Sequence, residues 1–121
     1  MYKRTVLIRS IEAVILDGIM WLEKWYISMC NGDWEHLYGV RIDTIDNPGW
    51  RIKIDLQETP YANIHMSPVK CDNGPDDWYF CSLEDGTFCG VGDTTKLSAL
   101  IHAFRVCIET YDTEHTGMVL L

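Results

Sequence analysis

Apolar side chains recur along this chain with two periods, and the switches between them mark its elements. From Gly18 to Cys30, Ile19, Leu22, Tyr26 and Met29 follow Ile15 at three- and four-residue steps, with Trp21 and Trp25 widening the stripe. Glu23 and Lys24 fall opposite, so the spacing predicts a helix buried along one face. Asn31-Gly32 predicts its end, because both residues accept the left-handed conformation of a helix terminus. The period then changes to two. Residues 36–46 and 50–56 read as a hairpin: Tyr38, Val40 and Ile42 alternate with Arg41 and Asp43, and Trp50, Ile52, Ile54 and Leu56 alternate with Arg51, Lys53 and Asp55. The turn is expected over Asp46-Asn47-Pro48-Gly49, with Pro48 presetting one central residue and Gly49 taking a positive φ.

Pro60, Pro68 and Pro75 exclude a central strand from most of residues 57–76, leaving Ala62–Met66 as an edge strand at most and 72–77 as a polar loop. Residues 78–83 and 87–91 form a second hairpin around Glu84-Asp85-Gly86. A two-residue Asp-Gly turn pairs Leu83 with Phe88 and puts Cys81 and Cys89 on opposite faces; a three-residue loop puts them opposite each other. The first pairs two apolar side chains and is preferred. Asp93 or Thr94 then caps a last helix, reaching to about Tyr111, that buries Leu97, Leu100, Ile101, Phe104 and Ile108.

Two hairpins between two helices predict an α+β fold: an antiparallel sheet of four to five strands with an N-terminal and a C-terminal helix on one face. Residues 18–111 make one domain, 1–17 an N-terminal extension, helical or lying on the surface, and 112–121 a tail. A length of 121 residues suits a single core.

Charge narrows the partners. The formal net charge is −8, and because Lys3, Arg4 and Arg9 against Glu12 give residues 1–16 a charge of +2, residues 17–121 carry −10. Such a surface repels a phosphate backbone and suits a basic protein. Five cysteines without a CxxC pair imply reduced thiols in a cytoplasm. The opening MYKRTVLIRSIEAVILDG has the basic start of a signal peptide, but Arg9, Glu12 and Asp17 interrupt its apolar run.

Catalytic and metal patterns are weak. His36, His65, His102 and His115 lack the close paired spacing of a zinc site, so neither metal nor cofactor is expected. Cys30 sits at a helix C-terminus and Cys71 beside Asp72, Asp76 and Asp77, positions that disfavour a thiolate, while Cys81, Cys89 and Cys107 fall in strands or a helix as small hydrophobes. A cysteine enzyme of sulfurtransferase type is therefore the minor alternative, beside an acidic regulatory adaptor for another basic protein. Gly90-Val91-Gly92 lacks the remainder of a phosphate loop. What remains is surface. Asp33, Trp34, Glu35 and His36 make one candidate binding turn, and Asp72, Asp76, Asp77, Glu84 and Asp85, which flank one strand, can gather at one end of the sheet to steer a basic partner.

The run Asn31-Gly32-Asp33-Trp34-Glu35-His36, preceded by Trp25-Tyr26, Ser28 and Cys30 and followed by Tyr38-Gly39 and Asp46-Asn47-Pro48-Gly49-Trp50, resembles the signature of the immunity protein 53 family. The strong likeness covers about residues 21–56, and a weaker one extends to about residue 105. The resemblance implies a bacterial polymorphic-toxin immunity protein that inhibits the toxin encoded beside it by binding, without turnover. It carries over no contact residues.

Overall fold

The computed structural model describes residues 17–116. The expected extension therefore lies, but for Asp17, outside the described residues. The elements run α1 (residues 17–29), α2 (Trp34–Leu37), β1 (Val40–Ile45), β2 (Gly49–Asp55), β3 (Val69–Asp72), β4 (Trp78–Glu84), β5 (Thr87–Gly92) and α3 (Leu97–Thr116). The five strands form one antiparallel sheet in the order β1-β2-β5-β4-β3. This is the α+β architecture expected, with its central pair drawn from different hairpins.

Alternation sorts the sheet residues. Ile52, Ile54, Cys81 and Phe88 face the helices and are buried, while Arg41, Asp43, Arg51 and Lys53 lie on the far face. From the helices, Leu22, Trp25, Leu100, Ile101, Phe104 and Ile108 complete the core. Phe104 joins the layers: its ring centroid lies 4.8 Å from that of Trp25, 5.8 Å from Trp21 and 5.1 Å from Phe88. Such edge-on and tilted pairs add about 0.5–1.5 kcal/mol each beyond the buried area.

The α1 stripe is rotated from the expected one. Leu22 and Trp25 are buried, with Trp21 and Met29 packed beside them, whereas Ile19 and Tyr26 are left exposed. The larger indole surfaces set the helix's orientation. In the first hairpin, residues expected to start β1 form α2, and β1 begins at Val40. Its connection also differs from the expected turn. Ile45 pairs with Gly49, so Asp46-Asn47-Pro48 is a three-residue link and Gly49 belongs to β2. Gly49 has no positive φ; it is needed for space, since a Cβ there would stand 2.1 Å from the carbonyl oxygen of Gly92.

The second hairpin has the preferred register. Leu83 pairs with Phe88 across Asp85 and Gly86, whose φ values of 52° and 75° suit a tight hairpin turn. Cys81 and Cys89 consequently face opposite ways. The edge strand is Val69–Asp72, after Pro68, and not Ala62–Met66, which is a turn at 62–63 and irregular from 64 to 66. A position past the last proline before residue 75 can pair without interruption. Finally, α3 runs past Tyr111 to Thr116. Asp112 accepts a 2.9 Å hydrogen bond from the Tyr61 hydroxyl, tying this last part of the helix to the loop after β2.

Candidate functional site

The turn that carries the strongest sequence pattern is built inward. Asn31 Oδ1 accepts from the backbone N–H groups of Asp33 and Trp34, both at 3.0 Å, and the Glu35 carboxylate accepts from those of Asn31 at 2.9 Å and Gly32 at 2.7 Å. Its own backbone N–H first, and then those of Asn31 and Gly32, hold the Glu35 carboxyl below its ordinary range. Gly32 has φ 95°, the conformation that ends α1. The turn delivers Trp34 into the core at 0% exposure, edge-on to Trp25. Of the four candidate residues, Asp33 and His36 are exposed, Glu35 is half-buried and Trp34 is buried.

The acidic candidates are divided between the two ends of the sheet. Asp72, Asp76 and Asp77 lie where β4 begins, and Glu84 and Asp85 where it ends. Seven strand residues separate them by about 20 Å. The second end also receives the 33–36 turn, because Asp55 N–H bonds Gly39 O and Leu56 N–H bonds Gly86 O beside it. Acid is thus presented at both ends of β4, and the chain that follows the 33–36 turn enters the sheet at the end of Glu84 and Asp85.

Asp93, expected from sequence only as a cap of the last helix, joins β4, β5 and α3. Asp93 is 4% exposed, and its carboxylate accepts from Trp78 N–H at 2.8 Å, Thr95 N–H at 2.8 Å, Thr95 Oγ1 at 2.6 Å and Lys96 Nζ at 2.8 Å. Lys96 Nζ also lies 2.7 Å from Asp77. Lys96 and the Thr95 hydroxyl hold Asp93 well below the carboxylate range, and Asp77 followed by Asp93 holds Lys96 above the ordinary amine range. Both groups stay charged near neutrality, so this node orders the chain and exchanges no proton there.

Other shifts point the same way. Burial pushes the Cys81 thiol up to about 11 and raises Cys107, and burial followed by the Asp112 hydrogen bond pushes Tyr61 up to about 12. Arg51 and Asp43 pair across β1 and β2, and that hydrogen bond lowers Asp43. Each of these shifts carries its group away from neutral pH, the reverse of what tunes an acid, base or thiolate for catalysis. Among the described residues, no three His, Cys, Asp or Glu side chains converge as a metal site, and no helix is long and apolar enough to cross a membrane.

A further concavity lies elsewhere. A groove of about 680 Å³ runs between α3 and the β3–β4 side of the sheet, closed at one side by residues 63–66. Its helix wall includes Ala99, Ala103 and Val106, and its floor Val69 and Tyr79. Only the i, i+4 alanines hinted at it in sequence.

A family model described as Immunity protein 53 matches residues 19–109. No curated protein and no solved structure matches the chain.

Proposed function

The chain belongs to the immunity protein 53 family, and from that premise we propose that it binds and neutralises a cognate bacterial toxin by covering a basic toxin surface. Family membership carries the immunity role. Charge supports the finer reading: residues 17–121 sum to −10, and Asp33 is exposed, as are Asp76, Glu84 and Asp85 at the ends of the sheet. A nuclease or another cationic toxin meets that field with faster encounter, and an acidic inhibitor can occupy a groove built for nucleic acid. Inhibition is by occlusion in the cytoplasm of the producing cell, without turnover.

The test is association with the toxin encoded beside this chain, followed by surface plasmon resonance and by residual toxin activity. A 1:1 complex should abolish activity, and the association rate should fall about tenfold or more between 50 and 500 mM salt, as steered encounters do. Binding that ignores ionic strength contradicts the basic-surface reading. Binding that leaves the toxin active favours an adaptor.

A further inference from the structure

The helical layer is unevenly spread over the sheet. On one side Leu22 and Tyr26 of α1 lie beside Tyr38 and Val40, and α3 packs on β2, β5 and β4. Among the described residues, the groove beside β3 is left uncovered. Its lips are apolar side chains in water: Val106 is 47% exposed and Val69 37%. Ala99 and Ala103, one turn apart on α3, remove bulk where a second helix would lie, and helices with small side chains at the contact approach to about 8 Å. From Ala99 to Glu114 the wall extends about 22 Å, or four helical turns.

Charge along this groove has a definite order. Glu114 at the far end is the one carboxylate in its lining. Ala99, at the near end, lies by the start of α3, where Lys96 pairs with Asp77 at the end of the 72–77 loop; beyond the lining, that loop also exposes Asp72 and Asp76. Between these ends the lining is mainly apolar, with Asn63, His65, His102 and Thr110 as uncharged hydrogen-bonding groups. A matching ligand is basic, then apolar, then basic. A second copy of this chain fits poorly, because each copy carries −8.

We propose that this groove seats an amphipathic helix of the toxin, about four turns long, apolar on one face and bearing lysine or arginine at both ends. The proposal rests on the reading of the chain as a toxin inhibitor, and it separates two roles: the acidic ends accelerate encounter, and the groove retains the partner once it has docked.

Hydrogen exchange of the full-length chain, alone and with its neighbour-encoded toxin, combined with Val106→Asp and Val69→Asp, tests this. Both substitutions are at exposed positions, so the melting temperature should hold within a few degrees. Toxin binding should protect α3 between Ala99 and Thr110, and one basic-ended toxin helix should be protected in return. Each variant should raise Kd by roughly 30-fold or more, mainly through faster dissociation. Lys53→Glu, on the far face of the sheet, should change it less than twofold.

Variants that bind as wild type, while wild type neutralises the toxin, overturn the groove and leave the inhibitor reading standing. Failure of wild type itself to bind sinks the inhibitor reading first. Protection of an acidic-ended helix, a strand or a loop in the toxin also rejects the proposal. So does a Val106→Asp change in the sedimentation of the free chain, which assigns the groove to a second copy, or full protection of the groove before toxin is added, which assigns it to the chain's own ends.

Discussion

At the scale of single residues, side-chain orientation divides the Asn31–His36 run into scaffold and surface. Trp34 fills the core beside Trp25, so Trp34→Ala should cost about 3–5 kcal/mol in chemical denaturation. Asp33→Ala and His36→Ala should leave the unfolding midpoint within experimental scatter, because both side chains are exposed. Glu35→Ala belongs with the first group in direction but not in size, since the amides it leaves at Asn31 and Gly32 are open to water. Asp93 has a sharper signature. Its folded pKa is depressed, so its stabilising effect is complete above the ordinary carboxylate value near 4 and is lost as pH falls below that toward the folded value. Asp77 and Glu35 act in the same direction. The melting temperature, as far as these groups set it, should be flat from pH 7 to about 5 and fall below about 4. Asp93→Asn should lower it by about 10 °C or more at pH 7 and flatten the acid slope. Tyr61 gives the opposite limb: its raised pKa favours the folded state below pH 10, and that contribution disappears between about 10 and about 12. Iodoacetamide titration of the native protein should find Cys81 the slowest thiol, since it is fully buried and its pKa is pushed up to about 11.

Among the elements, backbone approach decides what periodicity could not. Gly49 suited a turn by sequence, yet it serves the contact of β2 with the end of β5. Gly49→Ala should therefore destabilise strongly by denaturant titration, while Asn47→Ala in the exposed link should be nearly neutral. Gly90 has a related purpose. A Cβ there would meet Ile52 Cγ2 at 3.0 Å and Leu100 Cδ2 at 3.1 Å, so its absence lets α3 settle onto the sheet. The hairpin at Asp85-Gly86 is readable because turn chemistry is local: Leu83 and Phe88 pair, and Asp85 and Gly86 both adopt positive φ. β3 was misplaced because residues 57–76 have several short apolar runs among three prolines, and pairing with β4 chose between them. The α1 stripe was misjudged by a fraction of a turn for a similar reason. Spacing admitted several centres, and contact of Trp21 and Trp25 with Phe104 selected one.

Over the whole molecule, charge and shape act on different stages of recognition. Lys53, Lys70, Arg41 and Arg51 fall on the open face of the sheet, four of the seven cations among residues 17–116, which leaves its ends more acidic than the total implies. A toxin steered by those ends should associate more slowly with Glu84→Lys plus Asp85→Lys, with little change in dissociation; stopped-flow kinetics at low salt measure both rates. The amino-acid sequence by itself determined α1, α3 and the two hairpins with the antiparallel pairing inside each, the buried stripe of α3, the net charge and the family, because each depends on local spacing, turn chemistry or composition. Only the tertiary structure decided that Trp34 and Glu35 build the scaffold, that the acidic residues divide between opposite ends of β4, and that Asp93 and Lys96 lock three elements together. It also opened the groove between α3 and β3. These outcomes depend on which surfaces meet when distant segments pack, and periodicity along one segment contains no information about the segment placed against it.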